Sequence, residues 1–312
     1  MQVLVTGGAG FIGSHIVDRL LSDGHSVRVL DDFSTGKREN LPPHRELEIV
    51  TGDVGDFAGA LQAMQGVELV FHEAAVASVP RTVGDPLGSQ RTNYLGTLNV
   101  LEAARQCGTK RVVFAASAAA YGDLPELPKR EDMPVKPLSP YAVDKLASEY
   151  ACQVYHRLYG LDTVCLRYFN VYGTRQDPSS PYSGVISIFV DHLIQGKQPT
   201  IYGDGEQTRD FVSVTDVVEA NIRAATVPEA TGGVFNVAGG SPVTLNELLR
   251  TLCRLCEMPF APGYAAGRLG DIRDSYAVVG KAKQLLGWTP KINLEQGLRE
   301  LLESAGAFVS CR

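Results

Sequence analysis

Gln2-Val3-Leu4-Val5-Thr6-Gly7-Gly8-Ala9-Gly10-Phe11-Ile12-Gly13 opens the chain: a short apolar strand running into glycines at positions 7, 10 and 13. A helical pattern follows from Ser14 to Leu21. In this order the first glycine makes a tight turn, the second lets the backbone approach a pyrophosphate, and the third lets helix and strand pack closely. The helix N-terminus then faces the phosphates. Such a turn is specific only when a strand precedes it, a helix follows it, and a second strand ends in an acid. Ser26 to Leu30 is that second strand and Asp31 is the acid, eighteen residues after Gly13. A carboxylate there bonds the adenosine ribose 2′-hydroxyl and repels a 2′-phosphate, which favours NAD over NADP. Lys37 and Arg38 argue the other way. Asp31 outweighs them because it stands at the strand end.

Working outward, the alternation continues. Leu47 to Val50 leads to Gly52-Asp53-Val54, Leu69 to His72 leads to Glu73-Ala74-Ala75, and Arg111 to Ala116 leads to Ser117. Thr163 to Tyr168 is a further strand, and helical patterns cover Leu95 to Cys107 and Tyr141 to Tyr159. Strands alternating with helices predict an α/β fold, a Rossmann-type doubly wound parallel sheet covered on both faces. Ligands of such sheets sit beyond the strand C-termini. Asp53, Ala74, Ser117 and Asn170 fall at or just past strand ends and are expected to converge on one crevice. Small Ala74 and Ala75 suit close approach of a cofactor. Asn93 sits in a helix that reaches the same crevice. Phe11, Ile12, Asp32, Val54 and Tyr168 are taken with Gly7, Gly10 and Gly13 as further cofactor neighbours.

After Asn170 the pattern breaks up, with prolines at 178, 181, 199 and 262 and several glycine pairs. Residues 171–210 and 239–312 are read as a smaller mixed α/β substrate lobe. Residues 1–170 form the cofactor domain, and 211–238 return to it through a strand at Phe211 to Val214, a helix at Thr215 to Thr226 and a strand at Val234 to Val237.

One stretch carries chemistry: Ser139-Pro140-Tyr141-Ala142-Val143-Asp144-Lys145. Ser139 suits a helix cap and Pro140 a first turn. Tyr141 and Lys145, four apart, then share a face. A free phenol, with a pKa of about 10, is a poor base. A cation about 4 Å away at an effective dielectric near 20 favours the phenolate by roughly 4 kcal/mol, enough to bring Tyr141 to roughly 7. Such a phenol takes a proton from a hydroxyl and returns it.

Bulk properties exclude other classes. The chain has 312 residues, 44% hydrophobic and 21% charged, with a net charge of −6. That balance gives no case for nucleic-acid or anionic-membrane binding. No apolar run approaches the roughly 20 residues of a membrane span. The N-terminus enters a strand directly, so no signal peptide is expected. The six cysteines are scattered, and Cys253-x-x-Cys256 lies in a helical pattern without a second pair or a nearby histidine. A reduced cytoplasmic chain without metal is expected.

Gly7-x-x-Gly10-x-x-Gly13, Ser117, Tyr141-x-x-x-Lys145 and Asn170 together resemble the extended short-chain dehydrogenase/reductase family, over nearly the whole chain. Ala115-Ala116-Ser117-Ala118-Ala119-Ala120-Tyr121-Gly122, Arg167-Tyr168-Phe169-Asn170-Val171-Tyr172-Gly173, Gly203-Asp204-Gly205, Thr208-Arg209-Asp210-Phe211 and Arg268-Leu269-Gly270-Asp271 look specifically like UDP-hexose 4-epimerases. The likeness is nearest to the branch that takes UDP-N-acetylglucosamine as well as UDP-glucose. The resemblance implies a tightly bound NAD, with Tyr141 as base, Lys145 lowering its pKa and holding the nicotinamide ribose, and Ser117 bonding the sugar 4-oxygen. It implies that Asn170, Arg209 and Arg268 hold the diphosphate, Asp271 the uridine ribose and Tyr202 the uracil side, with Ala118 beside the sugar. It also implies a homodimer paired through the helices Leu95–Cys107 and Tyr141–Tyr159.

Ser275 aligns with a position that is bulky in epimerases restricted to plain hexoses and small in those accepting N-acetylated sugars, so an acetamido group is expected to fit. Two positions depart from the family's usual pattern: Glu73, where an apolar or amide residue is common, and Ala119-Ala120, where Thr or Val is common. A nucleotide-sugar 4,6-dehydratase needs an acid–base pair where Ala118 and Ala119 stand. A UDP-glucuronate 4-epimerase or decarboxylase needs donors for a carboxylate, with Arg175 a loose candidate. A reductase that releases its cofactor, and a non-catalytic NAD sensor on the same fold, complete the alternatives. The sensor is disfavoured because Ser, Tyr and Lys are all present.

Overall fold

In the computed structural model, residues 1–177, 184–267 and 272–306 are described. Seven parallel strands form the main sheet: β1 (Gln2–Thr6), β2 (Ser26–Asp31), β3 (Leu47–Thr51), β4 (Leu69–His72), β5 (Arg111–Ser117), β6 (Asp162–Tyr168) and β7 (Val234–Val237). Their order is β7-β6-β5-β4-β1-β2-β3. The order reverses beside β1, which pairs with both β2 and β4, and a crevice opens at such a switch point.

The two-residue period of β1 sorts its side chains. Val3 and Val5 enter the core under α1 (Phe11–Ser22), with Ile16, Val17 and Leu20. Val217 of a later helix joins the same core. Leu4 points to the other face, where Ala63 of α2 (Phe57–Ala63), Val100, Leu101 and Ala104 of α3 (Gly96–Cys107), and Cys152 of α4 (Pro140–Tyr159) meet Val70, Val112 and Phe114. Buried on both sides, these strands need near-continuous apolar sequence.

The expected strands and helices of the first half are present within a few residues, and β7 joins the main sheet as expected. The strand Thr208–Ser213 differs: it does not enter the main sheet. It forms a second sheet with Asn170–Tyr172, Pro242–Thr244 and Asp274–Ser275. The helix that follows it, α5 (Val214–Thr226), returns to the main sheet and packs beside α1. Helices Val185–Ile194, Leu245–Leu255 and Leu294–Ser304 cover this second sheet around Phe189, Leu248, Leu249, Leu298 and Leu302. A strand pair, Thr200–Tyr202 with Gly263–Ala265, flanks it. Asp210 locks the second sheet together, with a fully buried carboxylate accepting from Gly240 N at 3.0 Å and Ala277 N at 3.1 Å.

Candidate active site

Ser139 caps α4, its Oγ accepting from Ala142 N at 3.2 Å, and Pro140 occupies the first turn. Tyr141 follows. Its backbone N–H, one of the orphan donors of a helix start, donates to Thr82 Oγ1 at 3.2 Å. Thr82 is fully buried in the short helix Val79–Gly84 and donates in turn to Val79 O at 2.7 Å. The Tyr141 phenol lies near enough to the side chain of Ser117, the last residue of β5, for Ser117 to pull its pKa down. Lys145, one turn later and 4% exposed, donates from Nζ to Ala115 O at 2.7 Å and lies 4.9 Å above the Phe114 ring. Ser117, Tyr141 and Lys145 are thus brought together.

The electrostatics differ from the expectation for Tyr141. Burial pushes its phenol above the ordinary value, Ser117 pulls it back, and the charge of Glu73 adds to the rise. The protein's own groups therefore keep Tyr141 protonated rather than near neutrality. Lys145 gives one of its three N–H donors to Ala115 O, and burial lowers its pKa to about 8 while Glu73 opposes the fall.

Glu73 is the residue sequence reasoning left without a role. It follows β4, and burial pushes its carboxyl up to about 7. Tyr168, at the end of β6, has its hydroxyl 2.9 Å from Glu73 Oε1 and 2.7 Å from Asn221 Nδ2 of α5. A hydroxyl has one proton, and Nδ2 can only donate. The phenol therefore accepts from Asn221 and donates to Glu73. Beneath it His72, 1% exposed, lies 2.7 Å from Thr6 Oγ1 through Nδ1 and 3.0 Å from Thr97 Oγ1 through Nε2. Thr97 gives its own proton to Asn93 O, so Nε2 carries the imidazole hydrogen. Burial drives His72 down to about 3, and it is neutral.

The cofactor side is a narrow glycine turn. Gly7 has φ +67°, and a Cβ there would stand 2.7 Å from Ala74 N. A Cβ on Gly13 would stand 2.2 Å from Gly7 O. The α1 N-terminus begins at Gly10 with no side-chain cap and no acid in its first turn. The N–H groups of Phe11, Ile12 and Gly13 therefore suit an anion, and this cradle fits a pyrophosphate. Asp31 is 6% exposed and accepts Ala9 N at 2.9 Å and Phe33 N at 2.8 Å, one on each oxygen. A lone pair remains on each for a ribose hydroxyl. Asp32 closes the next turn by accepting Ser34 N. Lys37 pairs with Asp177 at 3.0 Å and Arg38 stacks 4.8 Å over Phe33, so both expected rival cations are engaged elsewhere. Asp53 accepts Gly55 N at 2.7 Å beside buried Val54, and Ala74 and Ala75 line the end of β4 half-buried. Asn93, expected to face the crevice, is 1% exposed in a π-turn, Arg91–Leu95. Its amide clamps Val76 N at 2.7 Å and acts on the loop after β4 instead.

On the other wall Asn170 is exposed and begins a second-sheet strand opposite Phe211. Arg209 stands opposite Ser275 in register, its guanidinium donating to Thr208 O and Arg273 O at 2.8 and 3.1 Å. Tyr202 is 39% exposed on its own strand, and Ala118 starts the turn after Ser117. Arg268 and Asp271 lie outside the described residues. Arg175 pairs with Asp18 of α1 at 2.7 Å, away from Ser117 and Tyr141. Thr82 and Glu73 carried no local signal: the Tyr141 N–H that Thr82 accepts and the Tyr168 hydroxyl that Glu73 accepts come from distant segments.

This geometry has close counterparts. A family model described as "NAD dependent epimerase/dehydratase family" matches residues 3–238. A UDP-glucose 4-epimerase of Mycolicibacterium smegmatis is 42% identical over 97% of this chain and 98% of its own length. A Thermotoga maritima UDP-glucose 4-epimerase solved with UDP-glucose superposes with TM-score 0.95 at 39% identity, covering 99% of this chain and 100% of that one. A UDP-N-acetylglucosamine 4-epimerase of Methanobrevibacter ruminantium, in complex with UDP-N-acetylmuramic acid, superposes with TM-score 0.93 at 40% identity, covering 100% of this chain and 99% of that one.

Proposed function

The chain belongs to the NAD-dependent epimerase/dehydratase family, and from that membership we propose that it is a UDP-hexose 4-epimerase. It interconverts UDP-glucose with UDP-galactose, and UDP-N-acetylglucosamine with UDP-N-acetylgalactosamine, through a 4-keto sugar. The observation that carries this reading is the meeting of Ser117, Tyr141 and Lys145 at one strand end, with only Ala118 and Ala119 beyond Ser117. A dehydratase needs an acid–base pair at those two positions. The engagement of Arg175 with Asp18 removes the cation proposed for a uronate carboxylate.

Bound NAD supplies the hydride acceptor and donor and brings a positive ring to the site. Every other role falls to the chain. The glycine turn and the bare α1 N-terminus hold the pyrophosphate, and Asp31 holds the adenosine ribose. Asn170 and Arg209, with Arg268, grip the substrate diphosphate. The chain alone keeps Tyr141 protonated, and only with the positive charge of the bound cofactor beside it would the phenolate be available; it then takes the proton of the 4-hydroxyl while Ser117 bonds the 4-oxygen, and Lys145 supports the phenolate. The flat keto sugar would turn over on its UDP anchor, presenting its opposite face to the side where the cofactor would be held, and Tyr141 would return the proton to the 4-oxygen. Residues 1–170 with 214–238 serve the cofactor, and 171–213 with 239–312 serve the UDP-sugar, since Phe211–Ser213 belongs to the second sheet and not to the main one.

A homodimer is part of the proposal. Val143, Tyr150, Val154 and Leu158 recur at helical spacing along α4 and are 49%, 50%, 46% and 71% exposed. An apolar stripe of this kind marks a partner surface. Among the described residues no helix is long and apolar enough to cross a membrane, and no disulfide joins the cysteines. The cytoplasm is the proposed compartment.

The test is NMR of purified protein incubated separately with UDP-galactose and UDP-N-acetylglucosamine, without added NAD, reading the anomeric signals. Conversion of both is expected. Failure with both, and again after NAD is added, refutes the assignment.

A further inference from the structure

A short piece of the substrate lobe reaches back onto the cofactor domain. The second-sheet strand Asn170–Tyr172 ends at Gly173, and the residues from Gly173 to Asp177 then follow the flank of α1. A Cβ on Gly173 would stand 2.4 Å from Val214 Cγ1 and 3.7 Å from the Phe11 ring, so the chain crosses here in close contact. Thr174 Oγ1 lies 2.9 Å from His15 Nε2, and His15 Nδ1 lies 2.9 Å from Phe11 O. A carbonyl can only accept, so Nδ1 carries the imidazole hydrogen. In the neutral ring that burial favours, Nε2 then accepts from Thr174. Arg175 pairs with Asp18 at 2.7 Å, with the two side chains 31% and 38% exposed. Asp177 pairs with Lys37 at 3.0 Å. Lys37 belongs to the loop after β2, and its own N–H donates to Ala9 O of the glycine turn at 3.0 Å.

Gln176 turns the other way. Its Nε2 donates to Val171 O at 3.3 Å, and its Oε1 accepts from Ser187 Oγ of the helix Val185–Ile194 at 2.7 Å. The segment is therefore rooted in the substrate lobe by Gln176 and tied to the cofactor domain by Thr174, Arg175 and Asp177. Arg175 holds φ +66°. A left-handed backbone at a residue with a long side chain persists only where its surroundings fix it. The ties end on the two segments that border the pyrophosphate cradle. These are α1, whose first turn supplies the N–H groups, and the loop bonded to the glycine turn.

We infer that Thr174, Arg175 and Asp177 are positioning residues that retain the cofactor: a strap that fastens the substrate lobe to both borders of the cradle and sets the rate of NAD release. A cradle of backbone N–H groups and one carboxylate supplies affinity. Release also requires its borders to part, and the three ties oppose that. The inference rests on the proposed reaction in one respect: an epimerase that takes its hydride back each cycle has to keep one NAD through many turnovers.

Nucleotide exchange tests this. The protein is loaded with NAD, freed of excess by gel filtration and mixed with radiolabelled NAD, and uptake of the label is followed. A part-exposed ion pair or a neutral hydrogen bond accounts for a factor of about five. Arg175→Gln and Thr174→Val are therefore each expected to speed exchange about fivefold, and the double variant more than either. Asp18→Arg combined with Arg175→Asp restores the pair with its charges exchanged, using a residue that takes the left-handed backbone readily, and should return exchange toward the starting rate. It also carries the test if Arg175→Gln folds poorly. Arg19→Ala removes an ion pair that joins α1 to Glu219 of α5, outside the strap, and should leave exchange unchanged. A double variant that exchanges within twofold of the unmodified protein overturns the inference. So does an acceleration matched by Arg19→Ala, which makes the effect a general loosening of α1. Absence of epimerisation by the unmodified protein overturns the proposed reaction instead, and the exchange rates still decide the strap.

Discussion

Thr82→Val tests how Tyr141 is held. The two side chains are nearly isosteric, so the fully buried site is not opened. What is lost is one hydroxyl with two bonds: it accepts Tyr141 N–H at 3.2 Å and donates to Val79 O at 2.7 Å. Leaving a buried polar group unpaired costs about 1–3 kcal/mol. Because the freed donor belongs to Tyr141 itself, we expect part of this cost to be relieved by a shift of the α4 start. A shift that removes about 1.4 kcal/mol of transition-state stabilisation slows turnover tenfold. The expected result is therefore a kcat about tenfold lower, KM for UDP-galactose nearly unchanged, and a melting temperature lowered by a few degrees. Thr82→Ser, which restores the hydroxyl, should recover most of both. Steady-state epimerisation and calorimetry on the three proteins provide the check. If the valine variant loses stability but keeps kcat within twofold, Thr82 supports the fold and not the base.

Gly13→Ala places a Cβ 2.2 Å from Gly7 O and should strip NAD from the purified protein, read by the absorbance of released nucleotide; retention would contradict the cradle. Ser275→Tyr should abolish turnover of UDP-N-acetylglucosamine and spare UDP-galactose, and equal effects on both sugars would remove Ser275 as the gate. Glu149→Ala leaves Arg167, bonded to it at 2.7 and 2.8 Å with both side chains at most 5% exposed, as an unpaired buried charge. A loss of about 3–5 kcal/mol is expected in denaturant unfolding, and a loss under 1 kcal/mol would show that the guanidinium finds water. His72 is held neutral in the fold to about pH 3, against 6.5 when free. The unfolded chain alone binds that proton as pH falls below 6.5, so stability should decline by up to about 1.4 kcal/mol per pH unit between those values. His72→Gln should flatten this part of the melting-temperature profile; an unchanged slope would place the acid sensitivity elsewhere.

The main sheet was legible because its central strands are buried on both faces and read as apolar runs, with Asp31, Glu73 and Ser117 at or just past their ends. Tyr141 and Lys145 were legible because helical spacing alone puts them on one face. The strand Thr208–Ser213 was not, since its neighbours begin at Asn170, Pro242 and Asp274, and nothing local encodes that pairing. The proton affinity of Tyr141 was not legible either. It depends on burial, on Ser117 and on Glu73, whose hydrogen-bond partner Tyr168 comes from β6. Asn93 could be placed near the crevice by its helix, but its orientation follows from the Val76 amide it clamps.

The seam between the two sheets has a further consequence. Tyr168 ends one sheet and Asn170 begins the other, and the single residue between them, Phe169, is itself bonded to Val237 O at 3.0 Å. Asp210 staples the second sheet from within. A joint this short, with its middle residue tied into the main sheet, makes the two walls of the crevice share one seam. A reaction that must present both faces of one sugar carbon is then expected to place its large motion in the sugar rather than at that seam.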